Sequence, residues 1–240
     1  MIKDTLKKLI FREKSDSNAY IHFLRKKGVK IGEGCTIFYP RGTNIDYQNP
    51  QMLTIGNYVR IADGVRILTH DYSLSVLAHV KGDIVGSVKP VTIQDNVFIG
   101  MNAIILAGVT VGRNVIIGAG SIVTKDCEDN SVYAGNPARK ICTLEELYNK
   151  RKKKEIEDAK RVAIQYYDRA GLLPDETVLR EYLMLFSDRK MKIPNELDKL
   201  MLDTGEYKKT KEFFYNVTPQ FENLDDFLRS CKINIETENR

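Results

Sequence analysis

A parallel β-helix, mainly β with helical segments at either end, is the fold this sequence predicts, and its central run of aliphatic residues predicts it most directly. Ile93, Ile99, Ile105, Val111, Ile117 and Val123 recur every sixth residue without a slip. Neither an α-helix nor an ordinary half-buried strand has that period, whereas a parallel β-helix turns its chain about every six residues and stacks coil on coil. The second observation is a small or β-branched residue four places after each anchor: Val97, Ala103, Val109, Val115, Ser121 and Cys127. A narrow three-sided interior has room only for such side chains. Glycines after the anchors (Gly100, Gly112, Gly118) suit tight corners.

The register continues upstream at Ile55, Ile61 and Ile67, with Val59 and Val65 in the small slots, and more faintly at Ile31 and Ile37 with Cys35. Three hexapeptides make a coil of about eighteen residues, so the two runs give roughly four to five coils. These elements divide the chain into a helical segment (1–28), a repeat domain (29–142) and a helical extension (143–240). In the first, Leu6, Leu9 and Ile10, then Tyr20, Phe23 and Leu24, fall at helical spacing, and Gly28 stands where a helix would stop. The repeat domain has one break, a loop over 71–90 in which the six-residue register vanishes; a loop of that length inside a compact solenoid is either disordered or functional. Beyond it, Leu144, Leu147, Ile156 and Val162 carry an apolar helical stripe that Gly171 ends. Pro174-Asp175-Glu176 then predicts a further helix through Leu185, with weaker helical patterns from Asn195 and from Thr218-Pro219. This extension is expected to cover an end of the solenoid.

Composition narrows the function. A net charge of +5 with dispersed lysines and arginines does not suggest a nucleic-acid surface. The basic run from Asn149 to Lys154 is followed by Glu155, Glu157 and Asp158, which fits a solvated helix face better than a lipid-binding one. Four scattered cysteines suggest neither a zinc site nor a disulfide framework, with Cys35 and Cys127 in core slots. No apolar run reaches membrane-spanning length and the N-terminus lacks a signal-type core, so a cytoplasmic location is expected.

Phe98-Ile99-Gly100, Ala107-Gly108-Val109-Thr110-Val111-Gly112, the stretch Ile117-Gly118-Ala119-Gly120-Ser121-Ile122-Val123-Thr124-Lys125-Asp126 and the turn Ala134-Gly135-Asn136-Pro137-Ala138-Arg139 closely resemble the hexapeptide-repeat acetyltransferases. Within them, the similarity is to sugar and polysaccharide O-acetyltransferases related to galactoside and maltose acetyltransferases. The resemblance implies a left-handed coil, which spacing alone does not show because parallel crossovers are normally right-handed. It also implies a homotrimer with active sites between neighbouring subunits, acetyl-coenzyme A as co-substrate, no metal, and a sugar or polysaccharide acceptor such as a capsule or lipopolysaccharide unit.

The chain has three histidines. His70, in Ile67-Leu68-Thr69-His70-Asp71-Tyr72-Ser73, lies where the regular coil gives way to the loop, at the place that matches the family's catalytic histidine. A sugar hydroxyl needs a base working near neutrality to attack a thioester, and imidazole meets that need. Asp71 is one candidate to orient the ring, although neighbours on extended backbone point to opposite faces. A backbone carbonyl or Asp46 from the preceding coil is another. Asn44 and Asp46 place polar groups near the expected acceptor side, or simply form a turn. For the cofactor, the resemblance assigns Ala119, Thr124, Lys125 and Arg139, the two cations facing phosphate. It also places the backbone of Gly100 and Met101 at the developing oxyanion. Met101 departs from the serine found in relatives, and Phe98 from a frequent tryptophan. Rival readings are acetylation of an amino-sugar nitrogen, a non-catalytic scaffold, and a zinc-dependent carbonic anhydrase of the same fold, for which the histidines lack a compact ligand spacing.

Overall fold

The computed structural model describes residues 10–233; the expected apolar positions Leu6 and Leu9 lie outside them. The chain divides into two compact units, Met1–Tyr148 and Asn149–Arg240, each with its own core.

The first unit is a three-sided stack of parallel coils. Its first coil holds β1 (Lys30–Ile31), β2 (Thr36–Ile37) and β3 (Asn44–Ile45), and the second β4 (Leu53–Ile55), β5 (Arg60–Ile61) and β6 (Arg66–Ile67). The third holds β7 (Val91–Ile93), β8 (Phe98–Ile99) and β9 (Ile104–Ile105), and the fourth β10 (Thr110–Val111), β11 (Ile116–Ile117) and β12 (Ile122–Val123). Like strands of successive coils pair in parallel, giving one wall of order β1-β4-β7-β10, a second built on β2-β5-β8-β11 and a third of order β3-β6-β9-β12. A fifth turn begins at Cys127, bridged to Val111, and ends in β13 (Ser131–Gly135), whose antiparallel partner β14 (Ala138–Thr143) closes the second wall.

The period of six follows directly from this geometry. Each anchor from Ile93 to Val123 points inward at 1% exposure or less, and the small slots Val97, Ala103, Val109, Val115, Ser121 and Cys127 are buried beside them. Burial pushes the Cys127 thiol up to about 12, which makes it an inert core group. Corners turn through left-handed residues, and asparagine serves as often as glycine: Asn96, Asn102, Asn114 and Asn130 all have φ between 55° and 58°. Three of them stack into a ladder, Asn96 Nδ2 donating to Asn114 Oδ1 and Asn114 Nδ2 to Asn130 Oδ1, each at 2.8 Å.

Helix α1 (Ser17–Lys26) packs on the first coil. Asp16 caps it by accepting from the Ala19 amide at 2.9 Å, and Tyr20, Ile21 and Leu24 join the solenoid core. Between β6 and β7 the break in register contains helix α2 (Leu74–Lys81), ended by Gly82 in the left-handed conformation. None of its residues is buried, which is why no amphipathic pattern announced it.

The second unit comprises most of α3 (Leu144–Ala170), then α4 (Asn195–Thr204), α5 (Tyr207–Asn216) and α6 (Leu224–Ser230). Its core gathers Ala159, Ala163, Leu183, Phe186, Phe214 and Phe227, with the Phe186 and Phe227 rings stacked at 5.0 Å. The helix expected from Pro174 through Leu185 reduces to a 3-10 segment, Arg180–Leu185. Asp175 Oδ1 accepts from the amides of Thr177 and Val178, a local turn that competes with helix initiation. With a 27-residue α3 and mostly two-residue strands, the chain carries more helix than "mainly β" implies. Among the described residues no helix is long and apolar enough to cross a membrane.

Candidate active site

The most concentrated polar chemistry in the first unit lies at the corner that follows the third wall. Successive coils stack there in register: the Asp46 amide donates to Ile67 O, that of Leu68 to Ile105 O, and that of Leu106 to Val123 O, at 2.9 to 3.1 Å. This ladder places Asp46 beside the Leu68-Thr69-His70 segment and runs on, two coils further, to Thr124 and Lys125.

His70 Nδ1 is 2.6 Å from Asp46 Oδ2. The carboxylate side chain is 7% exposed and the imidazole 25% exposed, so the pair is shielded at the acid and open at the ring. The same Oδ2 accepts from Thr69 twice, from its amide at 3.1 Å and its hydroxyl at 2.6 Å, while Oδ1 accepts from the Gln48 amide at 3.0 Å. Burial alone would raise the Asp46 carboxyl, but the hydrogen bonds from Thr69, Gln48 and His70 outweigh it and hold the group below its ordinary value. An ionised Asp46 can only accept, so Nδ1 carries the proton and Nε2 is left as the basic nitrogen.

The returning end of the loop fixes this segment from the other side. The Lys89 amide donates to Thr69 O at 2.9 Å, and His70 bridges Val88. Asp71 Oδ1 instead accepts from the Ser73 amide at 2.8 Å. The hydrogen bonds from Ser73 hold its carboxyl low. Of the two carboxylates offered to orient the imidazole, Asp46 is the one in contact. Asn44 sits outward on β3, paired in register with Arg66. His22 and His79 are exposed on α1 and α2.

The residues expected at the cofactor fall on two corners. Thr124 and Lys125 share the His70 corner and are exposed. Gly100, Met101 and Ala119 lie at the corner between the second and third walls, where the Gly120 amide donates to Met101 O at 2.7 Å. The Gly100 amide donates to Ile117 O at 2.8 Å within the ladder between coils. Gly100 also meets a packing demand, since a β-carbon there would lie 2.6 Å from the Ala119 nitrogen. Met101 and Ala119 are exposed beside it, and Arg139 is exposed on β14. Among the described residues no group of three or more His, Cys, Asp or Glu is placed to hold a metal.

Thr69 was not anticipated. A buried threonine next to a candidate histidine is its only sequence trace, and burial is not visible before the coil register is known.

Comparison with known proteins agrees with this architecture. Residues 90–125 match the family model described as bacterial transferase hexapeptide, six repeats. A galactoside O-acetyltransferase of Lactococcus lactis is 30% identical over 164 residues, which cover 61% of this chain and 76% of that protein. Protein CapG of Staphylococcus aureus is 39% identical over 122 residues, covering 51% and 70%. A Schizosaccharomyces pombe protein named as an acetyltransferase is 40% identical over 102 residues, and the chain spans only 48% of its length. On these matches the chain belongs to the hexapeptide-repeat acetyltransferase family.

Proposed function

We propose that the protein is an acetyl-coenzyme A-dependent O-acetyltransferase acting on a sugar hydroxyl, in the making of a surface polysaccharide such as capsule or lipopolysaccharide. The observation that carries this is the contact between His70 Nδ1 and Asp46 Oδ2, which holds a proton on Nδ1 and makes Nε2 the basic nitrogen of a partly exposed ring. Nε2 takes the hydroxyl proton as the sugar oxygen bonds to the thioester carbonyl carbon. Collapse of the tetrahedral adduct breaks the carbon–sulfur bond, and the imidazolium returns the proton to the coenzyme A sulfur. Asp46 stays ionised throughout and stabilises the imidazolium. Lys125 and Arg139 supply charge for the coenzyme's phosphates. The galactoside named by the Lactococcus relative supports a sugar as acceptor.

The working enzyme is a homotrimer in this reading. The His70 corner and the Met101–Ala119 corner are different edges of one solenoid, so one compact site that uses both takes an edge from each of two copies. The loop beside His70 also exposes a row of apolar residues, with Tyr72 at 77%, Val80 at 69% and Ile84 at 68% exposure, that a second copy would cover. Sedimentation equilibrium should give a trimer, and a fully active monomer would contradict the shared site. The activity itself is tested with acetyl-coenzyme A and a panel of galactosides, maltose and capsular polysaccharides: free thiol should appear with at least one acceptor. Binding of acetyl-coenzyme A without transfer to any of them, under conditions where a galactoside acetyltransferase is active, would favour a scaffold.

A further inference from the structure

We propose that Thr69 is a positioning residue for this transfer, its hydroxyl and amide together clamping Asp46 so that the carboxylate faces His70 Nδ1. The inference rests on His70 acting as the base. Thr69 has no exposed surface and all three of its polar groups are committed. The amide and hydroxyl go to Asp46 Oδ2, and the carbonyl accepts from Lys89 at the foot of the loop. Asp46 lies 23 residues away in sequence, so only the stacking of one coil on the next brings the two together. A carboxylate pivots easily about its last bond. The Gln48 amide holds Oδ1 by one contact, and Thr69 adds two donors on Oδ2, the oxygen that faces His70. A carboxylate oxygen only accepts, so the Thr69 hydroxyl is the donor in this contact. The remaining charged groups near the ring are Asp71, bound to Ser73, and Lys89, at the returning end of the loop. Neither makes a hydrogen bond to the imidazole that would replace Asp46.

The test combines the full-length variants Thr69→Val, Thr69→Ser and His70→Ala with nitrogen NMR of the imidazoles, which needs no acceptor. Three histidines give three ring signals, and the one missing in His70→Ala belongs to His70. In the wild type the neutral ring should be the Nδ1–H tautomer. Thr69→Val, which keeps the shape and the amide but removes the hydroxyl, should let a large share pass to the Nε2–H form that free imidazole prefers. It should also lower kcat by about tenfold with KM unchanged, the effect expected of a displaced base. Thr69→Ser should restore both. Should Thr69→Val fail to fold, Thr69→Ala removes the same hydroxyl without added bulk. A valine or alanine variant with the wild-type tautomer and kcat would overturn the role of Thr69 alone. His70→Ala with undiminished turnover would overturn the base assignment beneath it.

Discussion

Replacing His70 with alanine is expected to lower kcat by about 100- to 10,000-fold, the usual worth of a positioned general base. The wild-type rate should rise with pH as the base gives up its proton, and that limb should vanish in the variant. Binding of acetyl-coenzyme A should persist, because the charges proposed for its phosphates, Lys125 and Arg139, are untouched. No acetylated enzyme should accumulate, since in the proposed transfer the oxygen attacks the thioester directly. Steady-state kinetics with calorimetry of cofactor binding separates these outcomes. Loss of binding together with turnover would show that His70 shapes the site rather than working in it.

Asp46→Asn is expected to cost nearly as much, about 100-fold or more in kcat, through a different physical route. An amide in place of the carboxylate can present its NH₂ group to Nδ1, which favours the wrong tautomer, and it offers no charge to the imidazolium that forms during transfer. The same substitution has a signature in stability. The Asp46 carboxyl is held below its unfolded value by Thr69, Gln48 and His70 acting against burial. A depressed carboxyl contributes stability that is complete above the unfolded value and is lost as the pH falls through the folded one. Denaturation curves should therefore show the wild type ahead of Asp46→Asn at neutral pH. That margin should shrink below about pH 4. A constant difference down to lower pH would mean that Asp46 ionisation is not coupled to folding.

Much of the solenoid was legible because its coils repeat: once Ile93 to Val123 set the period, inward and outward positions followed for the whole run. The parts that resisted lie where the repeat is broken. Regular coils pair Ile99 with Ile117, but the first coil pairs Ile31 with Ile55 and Ile45 with Ile67, offsets lengthened by the turn at Arg41 to Thr43 and the 3-10 segment Pro50–Met52. Without that register, Asp46 was one of two carboxylates that stood to reach His70. Thr69 had no visible role. The asparagine corners were missed for a related reason: asparagine tolerates the left-handed conformation, yet nothing local separates a corner asparagine from a loop one. Helix α2 hid because all its residues are at least partly exposed. In the second unit the proline signal at Pro174 was overridden by the Asp175 turn, while α5, rich in aromatic and lysine residues, lacked a cap to mark its start.

The bond formed on the acceptor tests the central claim most directly. The protein would be incubated with acetyl-coenzyme A carrying labelled acetyl carbon and with whichever sugar of the panel releases thiol, and the product examined by mass spectrometry before and after mild alkali. Transfer to a hydroxyl through the His70–Asp46 pair predicts one added acetyl mass per modified sugar that mild alkali removes, formed by the wild type and nearly absent with His70→Ala. An alkali-stable amide on an amino sugar, or an ester formed equally well without His70, would contradict it.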